Sequence, residues 1–478
     1  MAQFVEPRSI DVVPDEERHG RAFGQFTLWL GANLQITAVV TGALAVVFGG
    51  DVVWSVLGLL LGNLLGGAVM ALHSAQGPRL GLPQMIQSRA QFGVRGAVVP
   101  LLLVVVMYVG FFASGSVLAG QAVGELTHTD DTTGIVVFAA VTGVIATAGY
   151  RVVHALGRVA STVCALAFVY LAVRLLDRAD TSALLHDAHF SLPVFLLAVS
   201  LSASWQLAFG PYVADYSRYL PRTTSAKATF WWTLSGSALG SQWSMTFGVL
   251  VAATAGERFL DSQVGYVVGL GGTGLAASFL YFVIALGKLT VNVLNTYGGF
   301  MSLVTGVSGF RGQRRLSRTG RVAYIALVMA AGTAVALLGK DGFLASFKDF
   351  LLFLLTFFTP WSAINLVDYY LISKERYDLA ALADPHGRYG AWRWDALGVY
   401  AAGLLAQLPF LATGFYTGPL VDPLGGADIS WLVGLAVPAL LYRLVARRVA
   451  PAVPPAVPPA VPVPEPGAGT SAVEPTAP

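Results

Sequence analysis

The sequence has almost no cysteine and little charge. Its one cysteine, Cys164, excludes an internal disulfide, and its place in an apolar run suits packing rather than a catalytic thiol. Charged residues make up 12% of the chain against 55% hydrophobic, and the mean hydropathy is +0.67. A chain so short of charge is not a water-soluble globule. Enzyme signatures are missing as well: there is no His-Glu-x-x-His helix, no Walker loop and no nucleophile elbow. The seven histidines are dispersed, without metal-ligand spacing. No catalytic residue, no organic cofactor and no nucleic-acid partner is expected. The first 24 residues are polar and hold five acids, so no cleavable signal peptide is apparent.

What the chain has instead is long apolar runs. A helix needs about 20 mostly apolar residues to span the hydrocarbon. That test gives an all-α membrane protein with twelve spans, near 25–48, 52–73, 97–121, 133–149, 154–175, 191–212, 229–254, 275–306, 321–338, 345–372, 395–414 and 430–446. The Gly-rich stretch 262–274 reads as an external interfacial helix. Placing the N-terminus inside puts 23 of the 29 Lys and Arg residues in inner segments, five in outer ones and Lys288 within a span. That bias predicts a multi-pass protein of the cell membrane with both termini cytoplasmic. It also accounts for the net charge of +3 without any acidic partner.

Three regions follow: a charged, loosely ordered lead at 1–24, a transporter domain at 25–447, and a Pro/Ala/Val-rich tail at 448–478 that cannot bury a core. Two spans are interrupted. The centre of the first reads Gly31-Ala32-Asn33-Leu34-Gln35-Ile36-Thr37, and the sixth carries Gly210-Pro211 after Trp205. Amides in hydrocarbon face a bundle interior, and paired broken helices point to a transporter binding site. The breaks fit five spans followed by five of inverted topology and two peripheral ones.

Polar groups cluster in span eight, Gly287-Lys288-Leu289-Thr290-Val291-Asn292-Val293-Leu294-Asn295. Lys288, Asn292 and Asn295 share one helix face, whereas Thr290 lies about 200° round from Lys288. The two amides can present donors and acceptors to a heterocycle at mid-membrane. Lys288 either carries a coupling proton, replaces the charge of a bound sodium, or anchors the helix at the interface. Tyr108 and Phe111 in span three, with Trp205, Gln206 and Phe209 in span six, offer flat rings and an amide for a planar substrate. Span ten holds Thr359-Pro360 in its interior, a bend that suits a gate.

Several blocks resemble the nucleobase–cation symporter family, in its purine–cytosine permease branch. They are the loop Gly77-Pro78-Arg79-Leu80-Gly81-Leu82-Pro83-Gln84-Met85-Ile86-Gln87-Ser88-Arg89-Ala90-Gln91-Phe92-Gly93, the run Leu28 to Asn33 leading to Thr41-Gly42, the segment Val213 to Tyr219, Asn292 to Ser302, and Asp368-Tyr369-Tyr370-Leu371. The resemblance implies a twelve-span, LeuT-like fold. It implies that rings from spans three and six sandwich a planar base while a span-eight asparagine bonds its edge. By position these are Phe111, then Trp205, Gln206 or Phe209, then Asn295 or Asn292, with Gln35 facing substrate. A sodium site of the family type would use Thr290 and backbone carbonyls near Asn33 and Ile36. The chain departs from cytosine and hydantoin carriers in having Tyr108 and Phe111 where they have Gln and Trp, which counts against cytosine itself. Lys288 favours proton over sodium coupling, though its offset from Thr290 leaves both open. The expected function is cation-coupled import of a nucleobase-like molecule across the bilayer by alternating access. An amino-acid or amine carrier on the same fold, or a non-transporting receptor, are the alternatives.

Overall fold

Because lipid supplies no hydrogen-bond partners, long apolar runs close their backbone bonds internally as helices. The computed structural model describes residues 11–148, 150–186, 188–312 and 317–446. The expected tail at 448–478 lies outside them, as do residues 1–10 and the inner-loop arginines Arg314, Arg315, Arg447 and Arg448. The main helices are α1 (Phe23–Asn33), α2 (Ile36–Val47), α3 (Val52–Ser74), α4 (Val98–Thr127), α5 (Asp131–Ala148), α6 (Tyr150–Leu176), α7 (Leu192–Leu207) and α8 (Val213–Ser217). They continue with α9 (Ala226–Ala255), α10 (Gln263–Gly271), α11 (Leu275–Arg311), α12 (Arg318–Gly339), α13 (Phe343–Leu366), α14 (Trp394–Gln407) and α15 (Ser430–Val445). Five of these, α3, α4, α11, α12 and α13, are long and apolar enough to cross a membrane, and α1 with α2 makes a sixth as a pair bent by 64°. Shorter apolar helices stand where the sequence places further spans. α10 stands at the stretch read as an interfacial helix and packs one face, Val264, Val267 and Val268, against the rest of the molecule.

The first break falls where the sequence places it. Gln35 is extended (φ −149°, ψ 155°), which leaves carbonyls of α1 without helical partners. Side chains meet two of them: Gln35 Nε2 donates to the Ala32 carbonyl at 2.9 Å, and Ser244 Oγ to that of Asn33 at 2.8 Å. The second break is the turn 208–212 between α7 and α8, where Pro211 has no N–H to give.

α1, α2, α3, α7 and α9 pack as one bundle. One of its close seams is a glycine stripe on α3. A β-carbon at Gly58, Gly62 or Gly66 would lie 2.8, 2.1 or 2.7 Å from the carbonyl oxygens of Phe195, Val199 or Ala203 on α7. Only small residues let two membrane helices approach so closely. α4, α5, α11 and α12 form a second group against which this bundle sits.

α13 carries Pro360, which cannot donate to the Thr356 carbonyl one turn earlier. Gln407 Nε2 of α14 fills that vacancy at 2.9 Å. The expected loose lead is also fastened from residue 11 onward. Val13 is buried, its N–H donates to the Gly81 carbonyl, and Arg18 donates to the Pro78 carbonyl at 2.6 Å. Here the segment meets the short helical turns of 77–92, so this end of the molecule is called the N-terminal face.

Candidate functional site

Between the two helix groups lies a cavity of about 660 Å³ that reaches both breaks. It borders α11 from Ile284 to Thr305, a run of about 30 Å at the helical rise, and ends among Thr27, Ile86 and Tyr219 at the N-terminal face. Behind Phe111, which borders the cavity, lies a cluster of phenylalanines. Phe111 meets Phe350 edge-on at 5.2 Å, Phe350 follows Phe347 at 6.5 Å, and Lys348 Nζ lies 4.5 Å over the Phe48 ring. The cavity thus extends toward the N-terminal face, and Phe111 borders it where this phenylalanine cluster begins.

Of the residues singled out in the sequence, Gln35, Tyr108, Phe111, Trp205, Phe209, Lys288, Thr290, Asn295 and Ile36 border this cavity. Phe111 and Trp205 stand 5.8 Å apart with planes at 87°, and Trp205 and Phe209 5.8 Å apart at 88°. The rings thus form an edge-to-face corner rather than the parallel sandwich that the resemblance implies. A planar ligand can stack on one face and meet the edge of the next. Asn295 is 8% exposed, and its Nδ2 has no protein partner among the described residues. A donor left unspent in an apolar wall has hydrogen-bonding capacity for a ligand.

Lys288 closes the inner end. It is 2% exposed, and Nζ donates to Thr37 Oγ1 at 2.7 Å and to Gln35 Oε1 at 3.1 Å. The ammonium lies against the first break, tying α11 to α2. Among the described residues no carboxylate comes within salt-bridge distance of it. A cation desolvated without an acid costs several kcal/mol. That is more than anchoring a helix requires. Thr290 Oγ1 donates back to the Gly287 carbonyl at 2.8 Å. It reaches the cavity even from the far side of α11, because the space wraps round to Val291 and Leu294.

Three of the singled-out amides do not border the cavity. Asn33, Gln206 and Asn292 are fully buried between helices. Asn292 Nδ2 donates to the Phe112 carbonyl at 2.9 Å and to Ser116 Oγ at 3.0 Å, joining α11 to α4. Gln206 Nε2 donates to Asn63 Oδ1 at 3.0 Å and to Ser241 Oγ at 3.1 Å, and its Oε1 accepts from Ser237 Oγ at 2.6 Å. Helix periodicity assigns a face but cannot say whether that face meets a cavity or a neighbour. Conversely, Thr37, Trp29 and Tyr212 border the cavity and were not singled out. Thr37 stood beside the first break in the sequence. The signal for the rings was the aromatic run continuing past Phe209, where Tyr212 lies 5.5 Å from Tyr108.

A family profile described as "Permease for cytosine/purines, uracil, thiamine, allantoin" matches residues 12–434. The chain is 40% identical over 442 residues to the putative purine-cytosine permease YxlA of Bacillus subtilis, covering 92% of this chain and 96% of that protein. It is 24% identical over 458 residues to the purine-cytosine permease fcyB of Emericella nidulans, covering 92% and 87%. In three dimensions it matches inward-facing Mhp1 with a TM-score of 0.71 at 20% identity, covering 92% of each chain. A closed form of Mhp1, a nucleobase-cation-symport-1 family transporter with bromovinylhydantoin bound, matches at 0.68 and 19% identity, covering 92% and 94%.

Proposed function

The chain belongs to the family of permeases for cytosine and purines, uracil, thiamine and allantoin, and is a membrane transporter rather than an enzyme; from that premise we propose that it imports an oxo- or amino-substituted planar nucleobase by proton symport. The observation that carries this reading is the meeting, in one cavity at both helix breaks, of three aromatic rings, an unspent amide donor and a buried ammonium. Phe111, Trp205 and Phe209 would hold the base by its faces and edges. Asn295 would bond its rim, and Gln35 would contact both the base and Lys288.

The coupling role falls to Lys288. Sodium near Asn33, Ile36 and Thr290 is the weaker fit. The Asn33 carbonyl already accepts from Ser244 Oγ and from the Gln35 N–H, Thr290 is turned back on its own helix, and a fixed ammonium stands at the break. Protonated Lys288 pins α2 to α11. Once it is neutral, the charge that draws Gln35 and Thr37 is gone and the two groups can part. The other titratable groups bordering the cavity are Cys164, Tyr108 and further tyrosines, with Asp215 and Arg218 at its mouth. The same central cation disfavours an amine substrate.

The finer architecture belongs to this proposal: twelve spans over 25–447, in a LeuT-like five-plus-five repeat with both ends cytoplasmic. On that orientation the cavity opens inward, and the bundle of α1–α3, α7 and α9 rocks against α4, α5, α11 and α12. α13 bends at Pro360 to open the outer side. The test is uptake into proteoliposomes of labelled cytosine, adenine, hypoxanthine, uracil, allantoin and hydantoin, under a sodium gradient and then a proton gradient alone. Saturable accumulation of one base under the proton gradient is expected. Accumulation of none of them overturns the reading of the substrate, and a strict sodium requirement overturns that of the ion.

A further inference from the structure

Asn33 looks in the sequence like a substrate ligand, but its side chain has no capacity left for one. An amide offers two donors and two acceptor sites. Both donors of Asn33 are used, to the Trp29 carbonyl at 2.7 Å and to Ser237 Oγ at 3.2 Å. Both acceptor sites are used as well, by Trp205 Nε1 at 2.6 Å and by Ser241 Oγ at 2.8 Å. The residue is fully buried and does not border the cavity. Three serines on one face of α9, Ser237, Ser241 and Ser244, hold its side chain and carbonyl in place.

What Asn33 does reach is the back of a cavity wall. The terminal torsion of a tryptophan is broad, so its rotamer alone does not fix the ring plane. On the cavity side Trp205 meets only the edges or faces of Phe111 and Phe209, at nearly right angles. Among the described residues the one hydrogen bond on the indole is from its N–H to Asn33. The same residue ends α1 and so also sets where Gln35 emerges. We propose that Asn33 is a positioning residue for substrate recognition: it orients the Trp205 ring against which the base stacks, and registers that ring with the first break. The inference rests on the reading that Trp205 is a wall of the base site.

Asn33→Ser tests it gently. The shorter hydroxyl can still bond the Trp29 carbonyl one turn back, as serines in helices do, but cannot reach the indole. Asn33→Asp, neutral in so buried a place, keeps the acceptor for Trp205 and one donor for the Trp29 carbonyl, and serves as the rescue. Binding is measured by equilibrium dialysis with tritiated cytosine, hypoxanthine and uracil, on the parent, Asn33→Ser, Asn33→Asp, Trp205→Phe and the Asn33→Ser/Trp205→Phe double variant. Asn33→Ser is expected to weaken binding about tenfold, the scale of one hydrogen bond, and Asn33→Asp to restore most of it. In the Trp205→Phe background Asn33→Ser should cost nothing further, because its effect acts through the indole. In 5-fluorotryptophan-labelled protein without ligand, the resonance lost in Trp205→Phe should shift in Asn33→Ser and return in Asn33→Asp. Additive losses in the double variant, or an unmoved Trp205 resonance, overturn the inference. If Trp205→Phe binds as the parent does, or the parent binds none of the probes, the base-site reading fails instead, and the fluorine spectra still decide whether Asn33 holds the ring.

Discussion

Replacing Lys288 by methionine separates the lysine's charge from its bulk, and the structure sets the expected size of both effects. The variant keeps an unbranched stem in the same slot but removes the donor to Thr37 Oγ1 and Gln35 Oε1. The acceptors left unmet, Thr37 buried and Gln35 half-buried at the cavity, cost about 1–3 kcal/mol each at most, and the Thr37 hydroxyl can turn to another partner. Against this, the parent holds an ammonium at 2% exposure with no acid beside it, a burden of several kcal/mol. Lys288→Met should therefore unfold no earlier than the parent in a detergent melting assay. Transport should change in kind. One pH unit is worth about 1.4 kcal/mol, so a one-to-one proton symporter at zero potential concentrates its base about tenfold. The variant should take up base only to equal concentrations on the two sides. The assay is steady-state accumulation of labelled base in proteoliposomes with one unit of pH difference and the potential clamped by potassium and valinomycin. Tenfold accumulation by Lys288→Met would refute the coupling role. A marked loss of melting temperature would refute the energetic argument and make the lysine a structural tie.

Other outcomes follow from the same geometry. Asn295→Ala should lower base affinity by about ten- to hundredfold without a change in melting temperature, because its Nδ2 has no protein partner to lose; equal binding removes it from the site. Asn292→Ala should do the reverse, destabilising the α4–α11 contact by about 1–3 kcal/mol while sparing affinity in whatever protein folds; thermal unfolding and dialysis on one preparation separate the two asparagines. Gln407→Leu leaves the Thr356 carbonyl only the long 3.4 Å bond from Thr359 Oγ1, where Pro360 has already removed its helical donor, and should cost about 1 kcal/mol of stability, with unchanged melting as the contrary result. Gly62→Leu should prevent accumulation of folded protein, since its β-carbon would fall 2.1 Å from the Val199 carbonyl; normal yield would mean the α3–α7 seam can open.

The breaks were legible in the sequence because each joins a chemical contradiction to a long apolar run: two amides in one, a Gly-Pro pair in the other. The pairing of Lys288 was legible in kind, since a lysine among apolar neighbours must find partners, but Thr37 as its nearer partner was not. The division among the amides was hidden for a simple reason. Asn292 and Asn295 lie within 60° of each other on α11, and only the approach of α4, with Gly115 leaving space beside Asn292, turns one of them away from the cavity. Asn33 and Gln206 were placed at the right depth but on the wrong side of the wall they support. The fastening of residues 11–22 was equally invisible, because it depends on backbone carbonyls of the 77–92 loop rather than on any pattern in the lead itself.

The polar interior of the rocking bundle has an electrical consequence. Asn33, Asn63, Gln206, Ser237 and Ser241 satisfy one another with amides and hydroxyls alone. Moving one elementary charge through 100 mV costs about 2.3 kcal/mol, and this cluster carries none. The bundle can thus swing within the membrane field without acting as a voltage sensor. The buried Lys288 ammonium sits on α11, in the group against which the bundle is proposed to rock. Without substrate, a voltage step should displace almost no gating charge, and if Lys288 carries the coupling proton as proposed, transport current should count only those protons.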